Sequence, residues 1–131
     1  MCLEKNDVKP IGDIFYKVFA EKDGKLYWLI RDEKGERSFG EEPLKGNKFK
    51  STKYGFCVWE KRESAVLFKK LAPKLLSKGE TIKFNIKKVR CSNHIQSGTC
   101  IASTEDNTWE ILVDNKCIRK QAFTFKNIEV L

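Results

Sequence analysis

The chain has 131 residues, with 26 Lys and Arg against 18 Asp and Glu, a net charge of +8 and one His. Roughly 130 residues bury about two thirds of their unfolded surface, enough for one hydrophobic core in a single domain (1–131) and too few for a large multi-step enzyme. At 40% apolar and 34% charged residues with three Pro, the composition excludes a disordered or collagen-like chain, and no apolar run nears the roughly 18 residues of a membrane span.

The N-terminus, Met1-Cys2-Leu3-Glu4-Lys5, carries charges where a secretory signal would be apolar, which points to a cytoplasmic protein. Further on, Ile14–Ala20 and Lys25–Ile30 are rich in aromatic and branched residues and flank Asp23-Gly24, a pair that accepts the positive φ of a tight hairpin turn. Residues 31–53 scatter Gly35, Gly40, Pro43 and Gly46 among charges and read as a loop or a pair of short edge strands. Tyr54–Trp59 reads as a buried strand. A helix follows, because Ala65, Phe68, Leu71, Ala72 and Leu75 repeat at three and four residues, and Pro73 should end or kink it near Leu71.

From Thr81 to Arg90 the pattern alternates, with Ile82, Phe84 and Ile86 on one face and Lys83, Asn85 and Lys87 on the other, as in a half-exposed antiparallel strand. Residues 91–98 read as a polar loop. Thr99–Ala102 and Thr108–Val113 suggest two further strands, Asp114-Asn115 a turn, and Phe123, Phe125, Ile128 and Val130 a last strand that bulges near Asn127. The expected fold is α+β: a curved antiparallel sheet of six to eight strands with one main helix packed on it.

The positive charge is concentrated. Residues 43–90 hold 14 basic and 3 acidic groups, whereas the flanks 1–42 and 91–131 are slightly acidic. Lys61, Arg62, Lys69, Lys70, Lys74, Lys83, Lys87 and Lys88 are therefore the expected partner-binding residues. A field of this kind attracts nucleic acid, nucleotides or an acidic protein surface. Tyr54, Trp59 and Phe49 lie within the same segment and could stack on bases.

Other chemistries find less support. Cys91, His94, Cys100 and Cys117 offer four zinc-type ligands, but only Cys91 and His94 are close in sequence, and structural zinc sites use closely spaced pairs. His94 is the only base available to activate Cys57, Cys91 or Cys100, and no Gly-framed turn surrounds any of them. The five cysteines are an odd number at irregular spacing, which favours reduced thiols over a disulfide scaffold. Asp32-Glu33 and Glu41-Glu42 do not converge as general acid and base would, and no Gly-rich phosphate loop is present. No catalytic set and no cofactor is indicated.

Met1-Cys2-Leu3, Tyr16-Lys17-Val18 and Gly55-Phe56-Cys57-Val58-Trp59 followed by Glu63-Ser64-Ala65 resemble a loose set of small uncharacterised phage and prophage proteins. Those proteins typically open Met-Cys-Leu and carry a Gly-Phe-His-x-Phe strand before a helix, and their Lys-rich strand is similar to Ile82–Val89. Cys57 stands where that pattern has His. The resemblance covers about a third of the chain and implies a phage-encoded accessory protein acting in the host cytoplasm, in the manner of counter-defence inhibitors. The expected function is a non-enzymatic binding protein whose basic face docks on an acidic host target, such as a defence or nucleoprotein complex or a nucleotide signal. The alternatives are direct nucleic-acid binding and a small transferase-like enzyme.

Overall fold

The structure, a computed structural model describing residues 2–31, 37–39, 42–51, 55–71, 83–101, 111–113, 116–118 and 120–131, contains eleven described strands and one described helix. In chain order they are β1 (Cys2–Asn6), β2 (Ile14–Lys22), β3 (Lys25–Tyr27), β4 (Leu29–Arg31), β5 (Arg37–Phe39), β6 (Lys48–Lys50), β7 (Phe56–Trp59), α1 (Arg62–Leu71), β8 (Lys83–Ile101), β9 (Ile111–Val113), β10 (Lys116–Ile118) and β11 (Lys120–Val130). It is a mostly antiparallel-sheet protein with one short helix.

Asp23 and Gly24 take φ values of 53° and 75° and join β2 to β3, with Lys22 opposite Lys25. Two positive φ values in succession match the twist of the flanking strands. The strand expected over Lys25–Ile30 is broken at Trp28, whose indole stacks on Phe56 at 5.1 Å and packs edge-on to Phe49 at 5.0 Å. β4 then pairs with β5 in a separate two-stranded ribbon, and β9 with β10 in another.

Seven strands form the main sheet, in the order β1-β8-β11-β7-β2-β3, with β6 added to β11. β8 also pairs with β2, so the path β8-β11-β7-β2 closes on itself. The device is the length of β8, 19 residues, whose first half pairs with β2 and whose second half pairs with β1 along the same edge. Closure of this kind leaves fewer unpaired strand edges.

Residues 91–98, expected to be a loop, therefore lie inside β8. Its apolar alternation is hidden by a bulge: Thr124 faces Gln96 while Phe125 faces His94, which leaves Ile95 as an extra residue, and Asn93 adopts φ 61°. The register shift falls there, between Thr124 and Phe125, and not near Asn127. β1 was not expected at all.

Directly opposed residues share a face, so the pairings sort the side chains. Phe15, Phe19, Val58, Val89, Cys91, Phe123, Phe125 and Ile128 form the inner core, with Phe15 and Phe123 edge to face at 5.5 Å. The other side carries Val18, Ala20, Trp59, Phe84 and Ala122, all buried. α1 packs on this side against β2, β8 and β7, burying Ala65 and Phe68, and the Phe68 ring lies 5.5 Å from Trp59. Ala72, Pro73 and Leu75 lie outside the described residues.

Gly55 precedes β7 at φ 81°, a conformation disfavoured for any residue with a Cβ. A Cβ there would meet Ile95 Cδ1 at 2.7 Å and the Phe125 carbonyl oxygen at 2.9 Å. The close approach lets β7 dock against β11 beside the bulge.

Candidate functional site

Strand alternation divides the basic segment, and among the described residues its expected cations fall on more than one face. Lys61 and Arg62 are exposed at the start of α1, and Lys69 is exposed two turns on from Arg62. Lys88 is exposed and lies opposite Tyr16, on the helix-bearing side. Lys83 and Lys87 alternate with Phe84, Ile86 and Lys88 and so belong to the inner-face side of β8. Lys70 belongs to α1 by its backbone, while Lys74 and Tyr54 lie outside the described residues.

The inner set has its own chemistry. Lys87 is half-buried directly opposite Lys17. Like charges in opposed positions repel, and Lys17 turns its ammonium toward other groups. Its Nζ donates to the Cys57 carbonyl at 3.1 Å and lies 5.8 and 6.0 Å from the ring centres of Phe19 and Phe56. Lys83 faces Glu21, whose Oε2 accepts a 2.7 Å hydrogen bond from Asn85 Nδ2. These charges sit in a mixed polar setting.

A third set lies on β6 and β8. Arg90 is 3.4 Å from the Asp13 carboxylate and 3.3 Å from Glu129, and Lys48 is 3.7 Å from Glu129. By contrast, among the described residues none of Lys61, Arg62, Lys69 and Lys88 is in an ion pair. Glu60 and Glu63 are exposed close to Lys61 and Arg62 and lower the local charge of that group to +2.

Trp59 is 2% exposed beneath α1, so the expectation that its ring is free to stack on a base is wrong. Phe49, the other ring considered for that role, is half-buried against Trp28. The sequence signal was misleading because the residue that covers Trp59, Phe68, lies nine positions later on another element.

Among the described residues no group of three or more His, Cys, Asp or Glu is placed to hold a metal ion. Cys91 is buried in the inner core, and burial pushes its thiol up from 9.0 to about 12, against a smaller lowering by Lys17 and with a small further rise from Asp13. A thiol this reluctant to ionise is a poor nucleophile. His94 is exposed on the bulge, with its Nε2 2.9 Å from Ser97 Oγ and its ring against Phe125 at 5.5 Å. Cys100 belongs to β8 and Cys117 to β10 by backbone. Among the described residues no helix is long and apolar enough to cross a membrane.

These features define a mostly-sheet protein with an exposed basic group on its helix-bearing side. No family model, no curated protein and no solved structure matches the chain.

Proposed function

We propose that the chain is a non-enzymatic binding protein that docks an acidic partner on the helix-bearing side of its sheet. One observation carries the reading: Lys61, Arg62, Lys69 and Lys88 are exposed on that side and, among the described residues, in no ion pair, whereas Arg90 and Lys48 are held by carboxylates. Exposed cations without intramolecular partners raise encounter rates with an anionic surface and are available to pair across an interface. The partner class is an acidic protein surface, as on a host defence or nucleoprotein complex. The short resemblance of Met1-Cys2-Leu3 and Gly55–Trp59 to phage and prophage proteins supports an accessory protein acting in a host cytoplasm.

The test is binding to immobilised poly-L-glutamate and, separately, to a single-stranded DNA oligonucleotide. Wild type is expected to bind polyglutamate at low salt and to lose it as salt rises. The charge-reversed variant K61E/R62E/K69E/K88E is expected to lose at least about tenfold, with an unchanged circular dichroism spectrum. Unchanged binding by that variant would overturn the reading, and retention of DNA without retention of polyglutamate would replace it with nucleic-acid binding.

A further inference from the structure

The pairings of β6, β11 and β8 set three rows of residues side by side. Lys50, Asn127 and Ser92 make the first row, Phe49, Ile128 and Cys91 the second, and Lys48, Glu129 and Arg90 the third. Alternation sends the middle row to the inner face, where Ile128 and Cys91 are buried. The outer rows share the opposite face, about 7 Å apart along the strands. A cleft of about 460 Å³ is bordered by these rows and by Asp13, a volume within the roughly 300–1,000 Å³ of small-molecule sites.

The third row neutralises itself. Lys48 and Arg90 are matched by Glu129 and Asp13 at 3.3–3.7 Å, two cations against two carboxylates. Lys50 is the remaining charge of the cleft; it is exposed and, among the described residues, in no ion pair. Beside it, Asn127 Nδ2 donates to Ser92 Oγ at 3.3 Å. That contact occupies the hydroxyl oxygen as an acceptor and leaves the Ser92 proton to be given to another group. An ammonium, a hydroxyl and the second Asn127 amide hydrogen thus stand in one row, with cross-strand neighbours about 5 Å apart. The alkyl stems of Lys48 and Lys50 supply hydrocarbon along the cleft between the two rows.

The geometry points to a binding site for a small organic carboxylate, its single negative charge on Lys50, Ser92 and Asn127 and its apolar body along the lysine stems toward the ion-paired row. The site uses none of Lys61, Arg62, Lys69 and Lys88. A ligand of charge −1 matches the one uncompensated cation, and the Arg90 ion pairs hold the far wall in place.

The probe is 2-naphthoate, with neutral 2-naphthamide as its control, followed by amide chemical shifts of the full-length protein during titration. Naphthoate is expected to move the Lys50, Ser92 and Asn127 amides saturably and to bind at least tenfold tighter than naphthamide. K50A is expected to abolish that preference while leaving naphthamide binding unchanged, S92A to reduce it severalfold, and K69E to leave it intact. Absence of saturable shifts in that row, equal affinity for the two probes, or an undiminished preference in both K50A and S92A would overturn the assignment. The spectra report directly whether each variant is folded.

Discussion

Large rings fill the inner face of the sheet, where Phe15, Phe19, Phe123 and Phe125 meet within a ring of paired strands, whereas the helix-bearing side is lined largely by small residues, Val18, Ala20, Ala122 and Ala65, around Trp59, Phe68 and Phe84. The difference follows from what each face must do. Closure of β8-β11-β7-β2 leaves a space that only large side chains on several strands can fill, while a helix approaches a sheet closely where the intervening residues are small. Charge follows the same division. Lys17 on the inner side is drawn toward aromatic rings and a backbone carbonyl, and Lys61, just before the helix, and Arg62 and Lys69 on it are left to solvent.

Substitutions should separate the two faces by size of effect. Phe123→Ala removes a fully buried ring at the centre of the inner cluster and is expected to cost about 4 kcal/mol in urea denaturation. Phe68→Ala, which strips the helix of its ring on Trp59, should cost about 3 kcal/mol and mainly release α1. A larger loss for Phe68→Ala than for Phe123→Ala would invert the comparison. Gly55→Ala places a Cβ against Phe125 at a left-handed φ and should cost about 2 kcal/mol, read by the same titration.

The Cys91 thiol gives a pH signature confined to the inner face. Its pKa is raised in the folded chain from 9.0 to about 12, chiefly by burial. Below pH 9 both states hold the proton and the contribution is whole; above it the unfolded chain ionises first, so stability falls as pH rises toward 12. Wild type should lose stability above pH 9 more steeply than Cys91→Ala, measured as the difference between their denaturation midpoints. Parallel pH profiles would show that the thiol is not sequestered. At the small end, each charge reversal among Lys61, Arg62, Lys69 and Lys88 should change stability by no more than about 0.5 kcal/mol, since each is exposed and, among the described residues, in no ion pair.

Much of this division can be traced in the sequence through local rules. The Asp23-Gly24 turn, the strand running into the helix at Arg62, and the alternation from Lys83 are each decided by residues within a few positions of one another. The continuity of β8 is not so decided. Its middle places Ser97 and Gly98, small and buried, where a long apolar residue would mark a strand, and the Ile95 bulge breaks the period of two.

The basic segment was legible as a stretch of sequence but not as a surface. Lys87 and Lys88 are neighbours and must point to opposite sides of a strand, yet which side meets the helix depends on ring closure far along the chain. For the same reason the row Lys50, Asn127 and Ser92 had no local signal, because three separate strands bring it together.

The docking surface is defined by which cations meet the partner, and the most direct measurement is the affinity for poly-L-glutamate of two charge-reversed proteins compared with wild type. K61E/R62E/K69E/K88E is expected to lose at least about tenfold, while K83E/K87E, on the inner-face side of the same segment, loses less than about threefold. Equal losses in the two variants, or a greater loss in K83E/K87E, would contradict the assignment of the docking surface to the helix-bearing side.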